Sequence, residues 1–411
     1  MNAAIKKNIV ETPSRRDAPT FVAREGEAPV AIRDDFDRDV WSILGVPIDV
    51  ANINDALGAI DLAKRTGERL SIVTPNVNWF VRSFSDQTAR AEMIDADLSL
   101  VDGAPLVKIA QSLGAPITSR VAGSDLFEAL RRRPGFASSK IKVFFFGGRD
   151  GAAETAVEAL NKEGGGVEAV GSFNPGFGDV ESMSSDAIID TINASNADFV
   201  VVALGAAKGQ AWITHNIDRL EAPVVSHLGA VVDFTAGSIN RAPAAFQRSG
   251  LEWLWRIKEE PSLWVRYAKD AMALGAIAMT RILPALWAKQ TAGSNEAAHA
   301  IGEFGTDVSR IKLQGALRHG ELGRIRQLFR EAAARGRNVE ITFDEGCTAD
   351  AAFLGQYLML EKQLTRAGKR ININALPKTM RSQFRRHNIG VEATNNDLSS
   401  EGTFEDQALA S

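Results

Sequence analysis

Lys142-Val143-Phe144-Phe145-Phe146-Gly147-Gly148-Arg149-Asp150-Gly151 is the stretch that decides the fold. Val143 to Phe146 is apolar without alternation, so the strand it predicts is buried on both faces. Two glycines end it, and Gly151 to Lys162 then carries helical spacing. The same unit recurs along the chain. Leu70–Val73 ends at Thr74-Pro75-Asn76, Leu98–Val101 at Asp102-Gly103, and Phe199–Leu204 at Gly205. Pro223–Ser226 is followed by Leu228-Gly229, and Ser185 to Ala194 is a further helical stretch. Apolar strands alternating with helices from Trp41 to about Asn240 predict an α/β domain, a Rossmann-like parallel sheet covered on both faces.

The 411 residues exceed one ordinary core. Residues 1–38 are polar and mixed in charge, which predicts a disordered arm rather than a signal peptide. The sheet domain (39–240) is followed by a Trp/Arg-rich helical appendage (241–290) and an Ala/Gly/Ser/Asn-rich linker (291–305). A small α/β unit (306–395) and a polar tail (396–411) complete the chain. In that unit Val308–Leu313, Asn338–Phe343 and Ile371–Ala375 read as strands, and Glu321–Arg335 and Ala352–Ala367 as helices. Hydrophobic residues at 45% and charged residues at 24% suit a globular chain, and a net charge of −4 gives no reason to expect nucleic-acid binding. The single cysteine, Cys347, excludes an intramolecular disulfide and a cysteine-cluster zinc site, and the five histidines form no ligand motif. Neither a metal nor a cofactor is therefore expected. No apolar run approaches the ~20 residues of a membrane span. Ala271 to Thr280 comes nearest, and Arg281 and Pro284 interrupt it. Cytoplasmic residence follows as the expectation.

An open parallel sheet binds its ligand at the carboxyl ends of its strands. Those ends carry Thr74, Asn76, Asp102, Gly147, Gly148 and Gly205. Asp102 is ionised near neutrality at its ordinary pKa and suits a general base toward a sugar hydroxyl. An aspartate in that place serves equally as a turn former or helix cap. Gly147-Gly148 precedes a helix N-terminus, which favours phosphate. Its spacing departs from GxGxxG, which disfavours a nicotinamide oxidoreductase. The residues alone lead to an α/β ligand-binding domain.

A longer ordered series goes further. It runs Thr74-Pro75-Asn76-Val77-Asn78, Val101-Asp102-Gly103-Ala104-Pro105, Arg120-Val121-Ala122-Gly123-Ser124-Asp125-Leu126, Phe145-Phe146-Gly147-Gly148 and Ala203-Leu204-Gly205. It closes with Gly229 to Gly237, Arg241-Ala242-Pro243, Gln247-Arg248 and Leu251-Glu252-Trp253-Leu254-Trp255-Arg256. Over roughly residues 41–267 this series resembles the WecG/TagA/CpsF family of glycosyltransferases. The resemblance implies inverting, metal-independent transfer of a sugar (an N-acetylmannosamine type, a hexose or a uronic acid) from a UDP-sugar. The implied acceptor is polyprenyl-diphosphate-linked, at the inner face of the cytoplasmic membrane, in surface polysaccharide or exopolysaccharide synthesis. It places the base on Asp102, further active-site polar groups on Thr74 and Asn76, and a site arginine on Arg120. Gly147, Gly148, Gly205, Lys208, Gln210 and Gly229 fall on its other motifs as substrate-binding positions. One motif departs. Where the family reads Leu-Gly-x-Pro-Lys-Gln-Glu, this chain has Ala207, Gly209 and Gln210 at the Pro, Gln and Glu places, and keeps Lys208. That departure supports an alternative class, a non-catalytic nucleotide-sugar-binding scaffold of a polysaccharide assembly complex.

Residues 241–290 hold eight Lys and Arg against four Asp and Glu, and four of the seven Trp lie at 253–287. Trp253, Ile257 and Trp264 fall on one side of a helix by spacing. Tryptophan with arginine suits a membrane interface, and the resemblance places the family's membrane-associating appendage here. By motif position Arg241, Arg248 and Arg256 are candidates for diphosphate oxygens. In the last unit, Ile341 to Asp344 and Asp350 to Gly355 resemble the core of STAS domains. Ala351 and Ala352 stand where those domains have a phosphorylatable hydroxyl, so a protein-interaction role is implied without a phosphorylation switch.

Overall fold

The structure, a computed structural model, describes residues 34–134, 140–239, 242–243, 246, 251–291 and 296–390. A hairpin comes first, β1 (Val40–Ile43) antiparallel to β2 (Val46–Asp49). Its two turn residues, Leu44 and Gly45, both have positive φ, at 53° and 94°. That backbone matches the twist of the flanking strands.

The central sheet comprises β3 (Leu70–Val73), β4 (Leu98–Ser99), β5 (Ile141–Gly147), β6 (Val167–Phe173), β7 (Phe199–Ala203) and β8 (Val224–His227). Their order is β4-β3-β8-β7-β5-β6, and every neighbouring pair is parallel. Alternate side chains enter opposite layers, as the period of two requires. Phe145, Phe199 and Val201 join one layer, beneath helices Ile53–Thr66, Gly123–Arg131, Ala152–Glu163 and Gly229–Thr235. Phe144, Phe146, Val200 and Val202 join the other, beneath Asp186–Ala194 and Ala206–Asn216, where Trp212 stacks on Phe146 at 4.2 Å. Five of these six strands are those expected from the apolar runs. The sixth, β6, carries Glu168 and Gly171 at the sheet edge, where an apolar run on both faces is not required.

The C-terminal unit adds β9 (His299–Phe304), β10 (Val308–Gln314), β11 (Ala316–Leu317), β12 (Asn338–Phe343), β13 (Thr348–Ala349) and β14 (Ile371–Ala375). A mixed sheet runs β14-β12-β10-β9, antiparallel only at β9, and β11 pairs with β13. The expected linker 291–305 therefore contains an edge strand, since β9 alternates exposed and half-buried residues against β10. Cys347 is buried, donates to Leu313 O at 3.2 Å, and has its thiol pushed up to about 11 by burial. It is a passive core residue.

This unit is not an independent bead. Hairpin residues, Trp79, Phe80 and the side chains of the C-terminal unit belong to one apolar cluster. Helix Ala351–Arg366 is buried along most of its length and lies against β1 so closely that a Cβ on Gly355 would overlap the Val40 carbonyl. The expected arm 1–38 also ends in packed structure. Arg38 pairs with Asp35 (2.5 Å) and Asp49 (2.8 Å), while buried Lys362 reaches Asp35 (3.1 Å) and Asp97 (3.4 Å). Residues 1–33, the segment 391–395 and the tail 396–411 lie outside the described residues.

The appendage differs from expectation in two ways. Its helix Glu252–Glu259 stops at Glu260-Pro261-Ser262, so Trp264 sits on a second helix and does not share a face with Trp253 and Ile257. That second helix does not break at Arg281 and Pro284. It runs on from Leu263–Ile277 through a π-helical segment, Ala278–Ile282, into Leu283–Thr291. The wider turn just before Pro284 accommodates the missing N–H and the ring. By length and composition the stretch Leu263–Trp287 could cross a membrane.

Candidate active site

Because the sheet is parallel, the carboxyl ends of its strands share one rim. Thr74 and Asn76 follow β3. Asn76 caps helix Val77–Arg82 by accepting from Trp79 N at 3.2 Å, which engages its carbonyl oxygen. The chain leaving β4 continues beside this turn, with Asp102 N donating to Pro75 O at 3.0 Å. That bond sets Asp102 next to the Thr74–Asn76 turn. Gly103 then takes φ 105° to start helix Ala104–Ser112 with Pro105 in its first turn.

Arg120 is the electrostatic hub. Its Nη1 lies 3.7 Å from Asp102 Oδ1 and 2.7 Å from Glu252 Oε2, and its Nη2 lies 3.1 Å from Asp125 Oδ2. Three carboxylates thus surround one guanidinium. Burial pushes the Asp102 carboxyl up to about 7; Arg120 and Arg256 oppose the rise, while Glu252 and Asp125 add to it. Yet the side chain keeps 25% of its surface open. A base whose pKa lies near the working pH is both available and strong enough to take a proton.

The appendage closes one side. Glu252 and Arg256 are one helical turn apart and both face this centre, Glu252 through Arg120 and Arg256 through its charge on Asp102. Arg256 also lies 3.6 Å from Glu260 and 5.8 Å over the Phe234 ring. Arg149, in the glycine loop, pairs with Glu260 and approaches Asp233 at 3.8 Å. Glu252, Asp125, Asp233 and Glu260 were not singled out from the sequence. The first two stand inside the Leu251–Arg256 and Arg120–Leu126 motifs, and that position was the available signal.

Other candidates have structural uses of their own. Gly147 (φ 93°) lets β5 approach β7, since a Cβ there would stand 2.8 Å from Ala203 O. Gly148 N donates to the same carbonyl at 2.9 Å. Gly205 starts helix Ala206–Asn216 at φ 80° and borders open space. Lys208 Nζ donates to Gly178 O at 2.7 Å. Gln210 is buried in that helix, and Gly229 opens the helix after β8 beside His227. Arg241 and Arg248 lie outside the described residues. Among the described residues, no three His, Cys, Asp or Glu side chains converge as a metal ligand set requires.

Known proteins align with this arrangement. Residues 41–286 match the model of the glycosyl transferase WecG/TagA/CpsF family. A relative from Bacillus spizizenii, an N-acetylglucosaminyldiphosphoundecaprenol N-acetyl-beta-D-mannosaminyltransferase, is 30% identical over 195 residues, which are 47% of this chain and 73% of the relative. Among solved structures, the complex of SsGBP with GDP covers 61% of this chain and 97% of its own at 9% identity, with a TM-score of 0.20, too slight a likeness to bear on fold or ligand. The family match spans the sheet, the Asp102 centre and most of the appendage, and this chain belongs to the WecG/TagA/CpsF family and is a glycosyltransferase.

Proposed function

We propose that the protein transfers a sugar from a UDP-sugar to a polyprenyl-diphosphate-linked saccharide, with inversion, in surface polysaccharide or exopolysaccharide synthesis. The observation that carries this reading is Asp102, held on the strand-end rim by Pro75 O, partly open, and raised to about 7. The Bacillus spizizenii relative, named for a diphosphoundecaprenol acceptor, supports the acceptor class. In one displacement the Asp102 carboxylate takes the proton of the acceptor hydroxyl. The freed oxygen bonds to the anomeric carbon while the bond to the diphosphate breaks, and UDP leaves. Thr74 and the Asn76 amide orient the sugar. Arg120 and Arg256, with Arg241 and Arg248, meet the negative diphosphates. Neither a metal nor a cofactor is assigned a step.

The membrane surface is the second element of the proposal. Trp264, Met272, Met279, Leu283 and Trp287 are 60%, 70%, 69%, 52% and 75% exposed. Spacings of eight, seven, four and four keep them on one side of the helix. Its other side is held by the protein: Asn78 donates to the largely buried Asp270 at 2.9 Å, and Arg281 donates to Arg385 O at 2.7 Å. A helix docked on one flank and apolar on the other suits an interface better than a span. The protein then sits peripherally on the inner face of the cytoplasmic membrane, where its lipid-linked acceptor lies. The C-terminal unit, read as STAS-like from its Asp350-capped helix, serves as a docking module for a protein partner. Its Ala351 and Ala352 are buried, which suits the lack of a phosphorylation switch.

Purified protein, a panel of UDP-sugars and a polyprenyl-diphosphate-linked N-acetylglucosamine acceptor test the reading by UDP release. Acceptor-dependent release from at least one donor is expected. Absence of release from every donor overturns it.

A further inference from the structure

Three buried polar atoms beside the Asp102 centre have no hydrogen-bond partner among the described residues: Trp79 Nε1, His227 Nε2 and Gln210 Oε1. Local structure links the elements that carry them. Strands β3 and β8 are neighbours, with Ile72 opposite Ser226, so Thr74 and His227 leave the sheet side by side. Trp79 stands on the short helix that Asn76 caps, its ring centroid 6.5 Å from that of His227. On its far side His227 fills the space of a missing side chain: a Cβ on Gly209 would overlap imidazole Cδ2. Gln210 follows at once. It lies one turn beyond Ala206, which packs on the cluster containing Trp79. Gly209 and Gln210 are the two residues at which this chain leaves the family's Lys-Gln-Glu pattern. The departure is thus coupled to His227, which occupies the room that Gly209 leaves.

A buried polar atom without a protein partner calls for a bond from outside the chain, from ordered water or from a ligand, and three of them beside a strand-end rim suit a ligand. Here the offers are complementary. Trp79 Nε1 can only donate, Gln210 Oε1 can only accept, and a neutral imidazole does either. Burial pushes His227 down to about 4, so it is uncharged at neutrality. Lys208, the cation of the same helix turn, is committed to Gly178 O. The set carries no charge. Sugar hydroxyls and an acetamido group both donate and accept, and match it. A carboxylate only accepts; it would face the Gln210 carbonyl, and the cation of that helix turn, Lys208, is already engaged by Gly178 O.

We infer that Trp79, His227 and Gln210 form the subsite for the donor's sugar ring, and that they select an uncharged hexose or N-acetylhexosamine over a hexuronate. This rests on the glycosyltransferase reading above. Trp79→Phe and Gln210→Leu each remove one of the atoms while keeping most of the shape. Isothermal titration of the full chain with UDP, UDP-glucose, UDP-N-acetylglucosamine, UDP-N-acetylmannosamine and UDP-glucuronate reads the result. Both variants should bind UDP as the wild type does, and the preferred uncharged UDP-sugar about tenfold or more weakly. The wild type should hold that sugar about tenfold tighter than UDP-glucuronate. Gln210→Leu removes an acceptor that has no partner among the described residues, so its melting temperature should stay at or above the wild-type value. Trp79→Phe also gives up part of a buried ring and should melt somewhat lower, so its readout is the split between UDP and UDP-sugar affinity. A merely structural role would weaken UDP and UDP-sugar alike in both variants and lower the melting temperature of Gln210→Leu. Unchanged UDP-sugar affinity in both variants, or a wild-type preference for UDP-glucuronate, overturns the subsite alone. Wild-type protein that binds neither UDP nor any UDP-sugar overturns the glycosyltransferase reading with it.

Discussion

At the scale of single residues, Asp102 connects burial to chemistry. The same desolvation that raises its pKa to about 7 makes it a better base and a less comfortable neighbour. Asp102→Asn should lower turnover by about 10²–10⁴-fold, the usual share of a general base. For the wild type, kcat/KM should climb with pH, about tenfold per unit well below 7, and level off above it, because only the deprotonated carboxylate accepts a proton. The variant should lose that limb. Stability runs the other way. A carboxyl raised in the fold is destabilising once pH exceeds its unfolded value, and increasingly so up to about 7. Above that pH Asp102→Asn should therefore melt higher than the wild type, by an amount on the order of 1 kcal/mol. A lower melting temperature, or an unchanged pH–rate limb in the variant, would place the base elsewhere. Asp102, Thr74, Asn76 and Arg120 were legible because each sits at a strand end or inside an ordered motif. Their electrostatic partners were not. Glu252 reaches Arg120 from 132 positions further along the chain, and only the folded appendage brings the two together.

Among the elements, the strands and helices of the sheet domain were readable because each pays its own way in local pattern: apolar on both faces for a strand, periodic for a helix. What was hidden was which elements touch. Nothing in the pattern of helix Ala351–Arg366 says that it covers β1. Gly355 is the clue in retrospect, a glycine inside a helix that tertiary contact requires. Gly355→Val should therefore destabilise the whole protein by about 1–3 kcal/mol or more through overpacking against the Val40 carbonyl, although valine costs little in an exposed helix. Thermal denaturation checks this. An unchanged melting temperature would mean that helix and hairpin are not in contact. The appendage gives the opposite case, apolar side chains that stay largely exposed, Trp264 and Trp287 among them. Replacing Trp264 and Trp287 together with Gln should weaken binding to anionic lipid vesicles about tenfold or more, given about 1.5–3 kcal/mol for fully burying a large apolar side chain. Soluble donor binding should be unaffected. Equal flotation of variant and wild type would remove the membrane role from this face.

For the whole molecule, the unit boundaries read from composition and the boundaries of packing differ. The Ala/Gly/Ser/Asn-rich stretch invited a division into a catalytic part and a tethered add-on. The apolar core crosses that division. Phe36, Val40, Trp41, Ile43 and Leu44 share a cluster with Phe329, Phe353, Tyr357 and Phe384. The polar side of the same contact is a network in which Lys362, 1% exposed, neutralises Asp35, 4% exposed, beside Arg38. A buried charge is costly once its partner is removed. Cutting the chain after residue 295 would leave Asp35 without Lys362 and open the apolar floor of the hairpin to water. The intact protein should then unfold in one calorimetric transition that includes both units, with matching calorimetric and van't Hoff enthalpies. The truncated chain should be recovered aggregated, or melt well below the full-length protein, even though it retains all of residues 41–286. Supplying residues 296–411 in trans should restore solubility if the contact alone is responsible. Two separate transitions in the intact protein, or a truncated chain that melts as the full one does, would show that the C-terminal unit is a detachable module after all.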